Sequence, residues 1–238
     1  MKIDFKNKNI LVTGATNGIG RSIANSFYKL GGNVIGTSTT QNSKKKNFLI
    51  YKVNFLKKEE FEKFCSYIKS KKIDILINNA GINKIDKINN LNIKDYNDIL
   101  FVNLKVPTIL TKIISQYMIK KKSGKIINIS SIFGSVSKSQ RSAYSSSKFG
   151  LIGFTKSTSL DLAKYNILVN SVSPGFINTK LTRKILKKKG INQMSRKIPL
   201  NRLGNVKEIS SLINFLSSKY NTYITGQNMI IDGGFTSE

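Results

Sequence analysis

A tyrosine and a lysine four residues apart, Tyr144 and Lys148, are the side chains of this sequence best suited to handle a proton. In a helix, residues at i and i+4 share one face, so the phenol and the ammonium would lie within reach of each other. The segment that ends in Ile129-Ser130-Ser131 precedes them. The chain contains no histidine, which excludes Ser-His-Asp and Cys-His triads and leaves proton transfer to Tyr, Lys, Asp or Glu.

The elements that must position this pair begin with a glycine-rich turn between a strand and a helix. The apolar run Asn9-Ile-Leu-Val-Thr13 predicts the strand, and the spacing of Ile23, Phe27 and Leu30 predicts the helix. Between them lies Gly14-Ala-Thr-Asn-Gly-Ile-Gly20. A second strand at residues 33–37 would complete a right-handed β-α-β unit. In such a unit the turn and the positive end of the helix face a pyrophosphate.

The same alternation continues along the chain. Further strands are predicted at residues 48–54, 73–77, 124–129, 168–172 and 228–231, and further helices at 58–71, 93–118, 143–164 and 206–216. The pattern predicts an α/β fold in which residues 1–238 form a single doubly wound Rossmann-type domain with a seven-stranded parallel sheet and helices on both faces. Ligands of such a sheet bind at the carboxyl ends of its strands. Four positions fall there: Gly14, Asn78, Ser131 and Pro174.

Two parts of this domain have different expected tasks. Residues 1–125 would form the cofactor-binding half, and residues 126–238 the catalytic and substrate part. Within the second part, residues 176–204 are polar and rich in lysine, and they lack the apolar periodicity of a core element. This segment is predicted to be a mobile flap over the bound ligand.

Composition excludes several other kinds of protein. The formal charge is +28, from 40 Lys and Arg against 12 Asp and Glu, but the lysines are spread through every segment among many Asn and Ile. This is typical of AT-rich codon usage, so no nucleic-acid function is expected. The absence of a run of 18 apolar residues, and of an apolar stretch in residues 1–10, predicts a cytoplasmic protein without membrane contact. The single Cys65 excludes a disulfide framework, and no metal site is expected.

Several motifs together resemble those of the short-chain dehydrogenase/reductase family along nearly the entire chain. They are Thr13-Gly-x-x-x-Gly-x-Gly20, Asn78-Asn-Ala-Gly81, Ser131, Tyr144-x-x-x-Lys148 and Pro174-Gly175. Within this family the sequence is most similar to bacterial 3-oxoacyl-[acyl-carrier-protein] reductases. That likeness lies in Val34-Ile-Gly-Thr-Ser, Arg202-Leu-Gly204 and Tyr223-Ile-Thr-Gly226.

The resemblance implies a catalytic role for four residues. Tyr144 would protonate the substrate carbonyl as hydride arrives, and Lys148 would lower the pKa of the phenol and hold the nicotinamide ribose. Ser131 would hydrogen-bond the same carbonyl oxygen, so that Ser131 and Tyr144 contact the substrate. Asn103 would position a water in the proton relay, whereas Asn79 is expected to stabilise the sheet. Ser130 and Ser145 to Ser147 are interpreted as structural or capping residues.

The resemblance also implies a binding site for a nicotinamide dinucleotide. Its expected contacts are Gly14, Thr16, Asn17, Gly18, Ile19, Gly20, Ser38, Thr39, Asn54, Phe55, Asn78, Ala80, Gly81, Tyr144, Lys148, Pro174, Gly175, Ile177 and Thr179.

The second strand indicates which dinucleotide is bound. A carboxylate at its end selects NAD by gripping the ribose 2′-hydroxyl, but no Asp or Glu occurs from Phe5 to Lys58. The strand ends in Thr37-Ser-Thr-Thr40, and Lys44-Lys-Lys46 follows. Hydroxyls and cations bind a 2′-phosphate, so NADP(H) is favoured and NAD(H) is the alternative. Asn17 replaces the Arg or Lys of many NADP-using relatives, and Arg21, Ser38 and the lysine run would have to compensate.

The substrate has three interpretations. The first is a 3-oxoacyl thioester, with Arg183, Lys187 and Lys188 meeting an acidic acyl carrier protein. The second is a sugar, polyol or other small alcohol, because Ile82-Asn-Lys-Ile-Asp-Lys-Ile88 differs from the Ile-Thr-x-Asp-x-Leu of acyl reductases. The third is a catalytically idle binding protein, against which the intact catalytic residues argue. The likeness at Asp232-Gly-Gly234 implies a homotetramer.

Overall fold

The central element of the fold is an eight-stranded sheet. The computed structural model describes residues 2–40, 43–45 and 48–237, with residues 43–45 described as backbone only. The sheet order is β3-β4-β2-β1-β5-β6-β7-β8. The strands are β1 (Asn9–Val12), β2 (Asn33–Ser38), β3 (Ser43–Lys45), β4 (Phe48–Lys52), β5 (Ile75–Asn78), β6 (Gly124–Ile129), β7 (Ile167–Pro174) and β8 (Asn228–Ile231).

Seven of these strands are parallel, which confirms the predicted sheet. The exception is β3, a three-residue strand that pairs antiparallel with β4 at the sheet edge. It contains no apolar residue, so no hydrophobic alternation predicted it. Part of the lysine run thus forms an edge strand, while Lys46 lies outside the described residues.

Seven α-helices within the described residues accompany the sheet. They are α1 (Gly18–Lys29), α2 (Lys58–Lys69), α3 (Ile93–Leu100), α4 (Val106–Lys121), α5 (Ser142–Ala163), α6 (Lys180–Ser195) and α7 (Val206–Ser217). The helical run predicted at residues 93–118 is interrupted by a π-helical turn, Phe101–Lys105, that joins α3 to α4. Within the described residues, no helix is both long and apolar enough to cross a membrane.

Alternate residues of the central strands bury their side chains on opposite faces, as the period of a strand requires. On one face Ile10 and Val12 pack with Phe27 of α1 and Ile213 of α7. On the other face Leu11 packs in a second cluster, whose helical members include Phe64 of α2, Leu110 and Ile114 of α4, and Leu162 of α5. Helices therefore cover both faces, as the doubly wound fold predicts.

The chain turns to opposite sides of β1, because β2 pairs with one edge of β1 and β5 with the other. In a doubly wound sheet this switch of direction opens a crevice at the carboxyl ends of the strands. The ends of β1, β5, β6 and β7 carry Gly14, Asn79, Ser130 and Gly175, which line one cleft.

The segment 176–204 differs from its prediction because much of it is the helix α6. None of its helical residues is buried, and Leu181 and Ile185 are 67% and 60% exposed. Because α6 has no stripe of buried apolar residues, no helical periodicity was visible in this segment. Lys187 has φ 52° and ψ 177°, so the helix is broken at that residue. The mobility of this flap stays a prediction.

Candidate active site

A cleft of about 970 Å³ lies at the carboxyl ends of the strands, a size typical of ligand sites. It is lined by the glycine-rich turn after β1, the loop after β5, the end of β6, the start of α5 and the start of α6. The predicted site residues along it are Gly14, Asn17, Gly18, Ile19, Gly20, Ala80, Gly81, Ser131, Tyr144, Lys148, Pro174, Gly175 and Thr179.

Lys148 is held in the wall of this cleft by the fold itself. Helix α5 begins at Ser142, so Tyr144 and Lys148 lie on adjacent turns of one face, and the Lys148 ammonium is 5.6 Å from the Tyr144 ring centroid. The Lys148 side chain is buried, and its Nζ donates a 2.8 Å hydrogen bond to the carbonyl oxygen of Ile129. Burial lowers the pKa of Lys148 to about 8.

The electrostatics of Tyr144 differ from those that the resemblance implies. Burial raises the pKa of the Tyr144 phenol, and a hydrogen bond with Ser131 and the charge of Arg141 oppose this increase only in part. The charge of Arg141 thus lowers the pKa of the Tyr144 phenol, in the direction opposite to burial. A phenol with a raised pKa keeps its proton at neutral pH, which suits a general acid.

Ser131 lies at the end of β6, where the chain bends into a short 3-10 turn, Ile132–Gly134. Its Oγ accepts a 3.2 Å hydrogen bond from the N–H of Phe133. Its hydroxyl also hydrogen-bonds the Tyr144 phenol, so the two groups lie side by side in the cleft. Ser130 instead donates to the backbone oxygen of Lys148 at 3.1 Å, in keeping with a structural role.

Asn103 is fully buried in the π-helical turn. Its Nδ2 donates to the carbonyl oxygen of Ile82 at 2.9 Å and to Ser147 Oγ at 3.0 Å, and its Oδ1 accepts from the N–H of Ile82 at 2.9 Å. Ser147 Oγ in turn donates to the Tyr144 carbonyl oxygen at 2.7 Å. Both amide protons are thus used inside the protein, and the side chain ties the loop after β5 to the first turn of α5.

The glycine-rich turn has the shape that a pyrophosphate requires. Gly14 and Gly18 have φ of 67° and 52°, and a Cβ on Gly20 would lie 2.2 Å from the Gly14 carbonyl oxygen. Asn79 holds the turn by donating to the Thr13 and Gly14 carbonyl oxygens at 2.9 and 3.2 Å. No side chain caps the N-terminus of α1, and no acidic residue lies in its first turn. Its N–H groups and positive dipole end therefore suit an anionic group.

Hydroxyl groups cluster at the end of β2. Ser38 Oγ lies 3.4 Å from Thr16 Oγ1 and 2.9 Å from Thr40 Oγ1, both within hydrogen-bonding distance. Thr39 is exposed beside them, and Thr37 Oγ1 accepts from the N–H of Gly14 at 3.0 Å. The described residues place no carboxylate in this cluster. It offers donors for a phosphate and no repelling charge.

The side chains of four predicted cofactor contacts have partners within the protein. Phe55 and Ile177 bury their side chains in the two hydrophobic clusters. The buried Asn78 donates to Asn128 Oδ1 at 2.8 Å, and Asn54 Oδ1 accepts from the N–H of Leu56 at 3.1 Å. For Phe55 and Ile177 only the backbone is left to meet a ligand, because motif position alone does not reveal which way a side chain points.

Several residues of the cleft lie outside the predicted site, among them Arg141 and four apolar residues. Arg141 lies three residues before Tyr144 and immediately before α5, and this nearness to Tyr144 along the chain could have signalled it. The other four are apolar and exposed, with no sequence signal that distinguishes them from core residues. They are Ile82, Ile85, Leu181 and Ile185.

The chain is similar in sequence to known proteins of one family. Residues 8–190 match the model of the family described as short chain dehydrogenase. The 3-oxoacyl-[acyl-carrier-protein] reductase FabG of Rickettsia typhi is 38% identical over 239 residues, which cover 98% of each protein.

Two solved structures have the same fold over nearly their whole length. A 4-hydroxyisoleucine dehydrogenase complexed with NADH is 33% identical with a TM-score of 0.91, covering 98% of this chain and 100% of that one. The protein ElxO with NADP bound is 30% identical with a TM-score of 0.88, covering 97% and 99%.

Proposed function

The chain belongs to the short chain dehydrogenase family, and from this premise we propose that it reduces the ketone of 3-oxoacyl thioesters with NADPH. Family membership makes it an oxidoreductase that acts on CH–OH groups. The relative from Rickettsia typhi carries the name of a 3-oxoacyl-[acyl-carrier-protein] reductase.

The observation that supports an acyl substrate is the apolar rim of the cleft. Ile82 and Ile85 from the loop after β5, and Leu181 and Ile185 from α6, line the cleft and are 38% to 67% exposed. Exposed apolar side chains grouped around a cleft mark a site for an apolar ligand. A sugar or polyol would instead need convergent polar groups, so this rim favours an acyl chain.

The geometry supports a defined role for each catalytic residue. Tyr144 keeps its proton at neutral pH and would donate it to the substrate carbonyl oxygen, toward which Ser131 would also donate a hydrogen bond. Lys148, with a pKa of about 8, carries a proton at neutral pH and would replace the one that Tyr144 gives up. Asn103 would keep the loop and the first turn of α5 in register. The bound nicotinamide would supply the hydride.

The choice of NADPH rests on three features. The uncapped N-terminus of α1 suits the pyrophosphate, and the Ser38 hydroxyl cluster suits a 2′-phosphate. Among the described residues no carboxylate joins that cluster, whereas a carboxylate there selects NAD. ElxO, at 30% identity, has NADP bound.

The setting of the reaction follows from the same resemblance. We infer a cytoplasmic homotetramer that takes its substrate from an acidic acyl carrier protein in fatty acid synthesis. Lys180 and Lys184 on the cleft rim, together with the positive charge of the whole chain, would attract such a carrier.

The test is the rate of NADPH and NADH oxidation with acetoacetyl thioesters, beside a panel of ketoses and sugar lactones. We expect thioester turnover with NADPH and a loss of about 100-fold or more in Tyr144→Phe, because a positioned acid contributes about that much. Tyr28→Phe, on a partly exposed tyrosine of α1 outside the cleft, is the matched control and should retain activity.

Each other outcome has a clear meaning. If the protein turns over a sugar but no thioester, the substrate is a sugar or polyol and the acyl-thioester hypothesis is wrong. No turnover with any substrate would favour an idle binding protein. Unchanged turnover in Tyr144→Phe would show that another group supplies the proton.

A further inference from the structure

Arg141 is a cation in the cleft whose guanidinium has no polar partner among the described residues. It immediately precedes α5, is half-buried, and lines the same cleft as Tyr144. Its guanidinium carbon lies 5.6 Å from the ring centroid of Phe133. The ion pairs within the described ranges join other cations to other carboxylates. An arginine left this way in a cleft is available to a ligand.

The surroundings of the Arg141 guanidinium favour the binding of a ligand. A guanidinium carries five N–H donors in a planar fork, and stacking on an aromatic ring orients the fork in advance. Partial burial removes water from these donors and lowers the pKa of Arg141, so an acceptor brought by a ligand would gain more than one at an open surface.

The position of Arg141 defines which part of a ligand it meets. The pyrophosphate side of the cleft is the glycine-rich turn, whereas Phe133 follows Ser131 and packs edge-on against Phe176 at 6.3 Å. Arg141 therefore lies on the substrate side. It is also close enough to Tyr144 for its charge to act on the phenol.

We propose that Arg141 binds the C1 oxygen of the substrate and so selects compounds that carry an oxygen acceptor on the second carbon from the reacting ketone carbon. This inference rests on the proposed 3-oxoacyl reductase function. With the C3 carbonyl oxygen at Tyr144 and Ser131, the next acceptor along a 3-oxoacyl chain is the oxygen on C1. That oxygen is a thioester carbonyl in a carrier-bound substrate and a carboxylate in a free 3-oxo acid, and a guanidinium recognises both.

The C1 oxygen does not change its charge during the reaction, so this contact holds substrate and transition state equally. Its loss should raise KM more than it lowers kcat. A smaller decrease in kcat is expected as well, because removing the charge of Arg141 raises the pKa of Tyr144 further.

The experiment compares wild type, Arg141→Gln and Arg141→Lys on three substrates: an acetoacetyl thioester, acetoacetate and the monoketone pentan-2-one. For Arg141→Gln we expect KM to rise by about 10- to 100-fold for the two substrates with a C1 oxygen, and much less for pentan-2-one. Arg141→Lys should recover part of the loss, most of all for acetoacetate. Lys207→Gln, an exposed cation on α7, controls for the change in net charge.

The two proposals fail in different ways. If the wild type reduces the thioester but Arg141→Gln loses the same factor on pentan-2-one, or loses nothing, the role of Arg141 is refuted and the proposed function stands. If the wild type reduces acetoacetate alone, with the expected loss in Arg141→Gln, the C1 contact stands and the thioester function falls. If the wild type reduces neither the acetoacetyl thioester nor acetoacetate, the proposed function and the role of Arg141 are both refuted.

Discussion

Replacing Lys148 by methionine should stabilise the folded protein at neutral pH while it disables the reaction. Burial lowers the pKa of Lys148 from its ordinary 10.5 to about 8, which corresponds to about 3 kcal/mol against folding at pH 7. The variant loses the hydrogen bond from Nζ to the Ile129 carbonyl oxygen, which offsets about 1 kcal/mol of this gain. A net stabilisation of about 2 kcal/mol is expected, because methionine fills similar space without a charge.

The dependence on pH distinguishes this cause from better packing. Below pH 8 both the folded and the unfolded chain hold the proton of Lys148, so the full unfavourable contribution is present and the variant keeps its whole advantage. Between pH 8 and 10.5 only the unfolded state still holds the proton, so wild-type stability rises relative to the variant. The advantage should therefore shrink across this window and reverse at its upper end, where only the loss of the hydrogen bond, about 1 kcal/mol, remains.

The assay is urea unfolding of both proteins from pH 7 to 10.5, followed by circular dichroism because the chain has no tryptophan. Lys125→Met is the matched control. Burial lowers the pKa of Lys125 to about 8 as well, but its ammonium donates to the Asn221 carbonyl oxygen, away from the cleft. That variant should gain less stability, since Lys125 is more exposed, and should keep its turnover. A Lys148→Met protein that is less stable at pH 7, or whose advantage does not change with pH, would refute the reasoning.

Two further predictions concern the cofactor half. Ser38→Asp adds a carboxylate to the hydroxyl cluster at the end of β2, and should lower the ratio of kcat/KM for NADPH over NADH by about 100-fold. The control Ser38→Asn, which has equal size and no charge, should leave this ratio near the wild-type value. Equal ratios in both variants would contradict a 2′-phosphate site at this position. Gly20→Ala puts a Cβ 2.2 Å from the Gly14 carbonyl oxygen, so unfolding midpoints should report a loss of about 1–3 kcal/mol and titration should report weaker cofactor binding. In Gly153→Ala of α5 the added Cβ meets nothing within 4 Å, so a gain of about 0.5–1 kcal/mol is expected; equal effects of the two alanines would show that the turn tolerates a side chain.

The sequence predicted those parts of the fold that a periodic burial pattern determines. The seven parallel strands are short apolar runs between amphipathic helices, and the shared face of Tyr144 and Lys148 follows from helical geometry alone. Two elements were not predicted, and each has a physical reason. The strand β3 contains no apolar residue, and the α6 residues Leu181 and Ile185 line the cleft. The π-helical turn at Asn103 is a change of backbone hydrogen bonds, which side-chain type does not encode.

Under the proposed function, substrate choice and reaction chemistry depend on different segments of the chain, and this explains why only the chemistry could be predicted from motifs. Ser131 and the glycine-rich turn follow directly from strands, so the hydrogen bonds of the sheet set their positions relative to each other. Ile82 and Ile85 lie about 100 residues before Leu181 and Ile185 along the chain, and they meet only because the two segments reach over the same cleft. A sequence motif of fixed spacing cannot reveal that two segments so far apart along the chain lie over the same cleft. Changes in the 82–88 loop or in α6 would therefore alter which substrate enters while leaving the proton transfer at Tyr144 intact, and the departure of residues 82–88 from the acyl-reductase pattern falls in one of the two segments where the fold permits it.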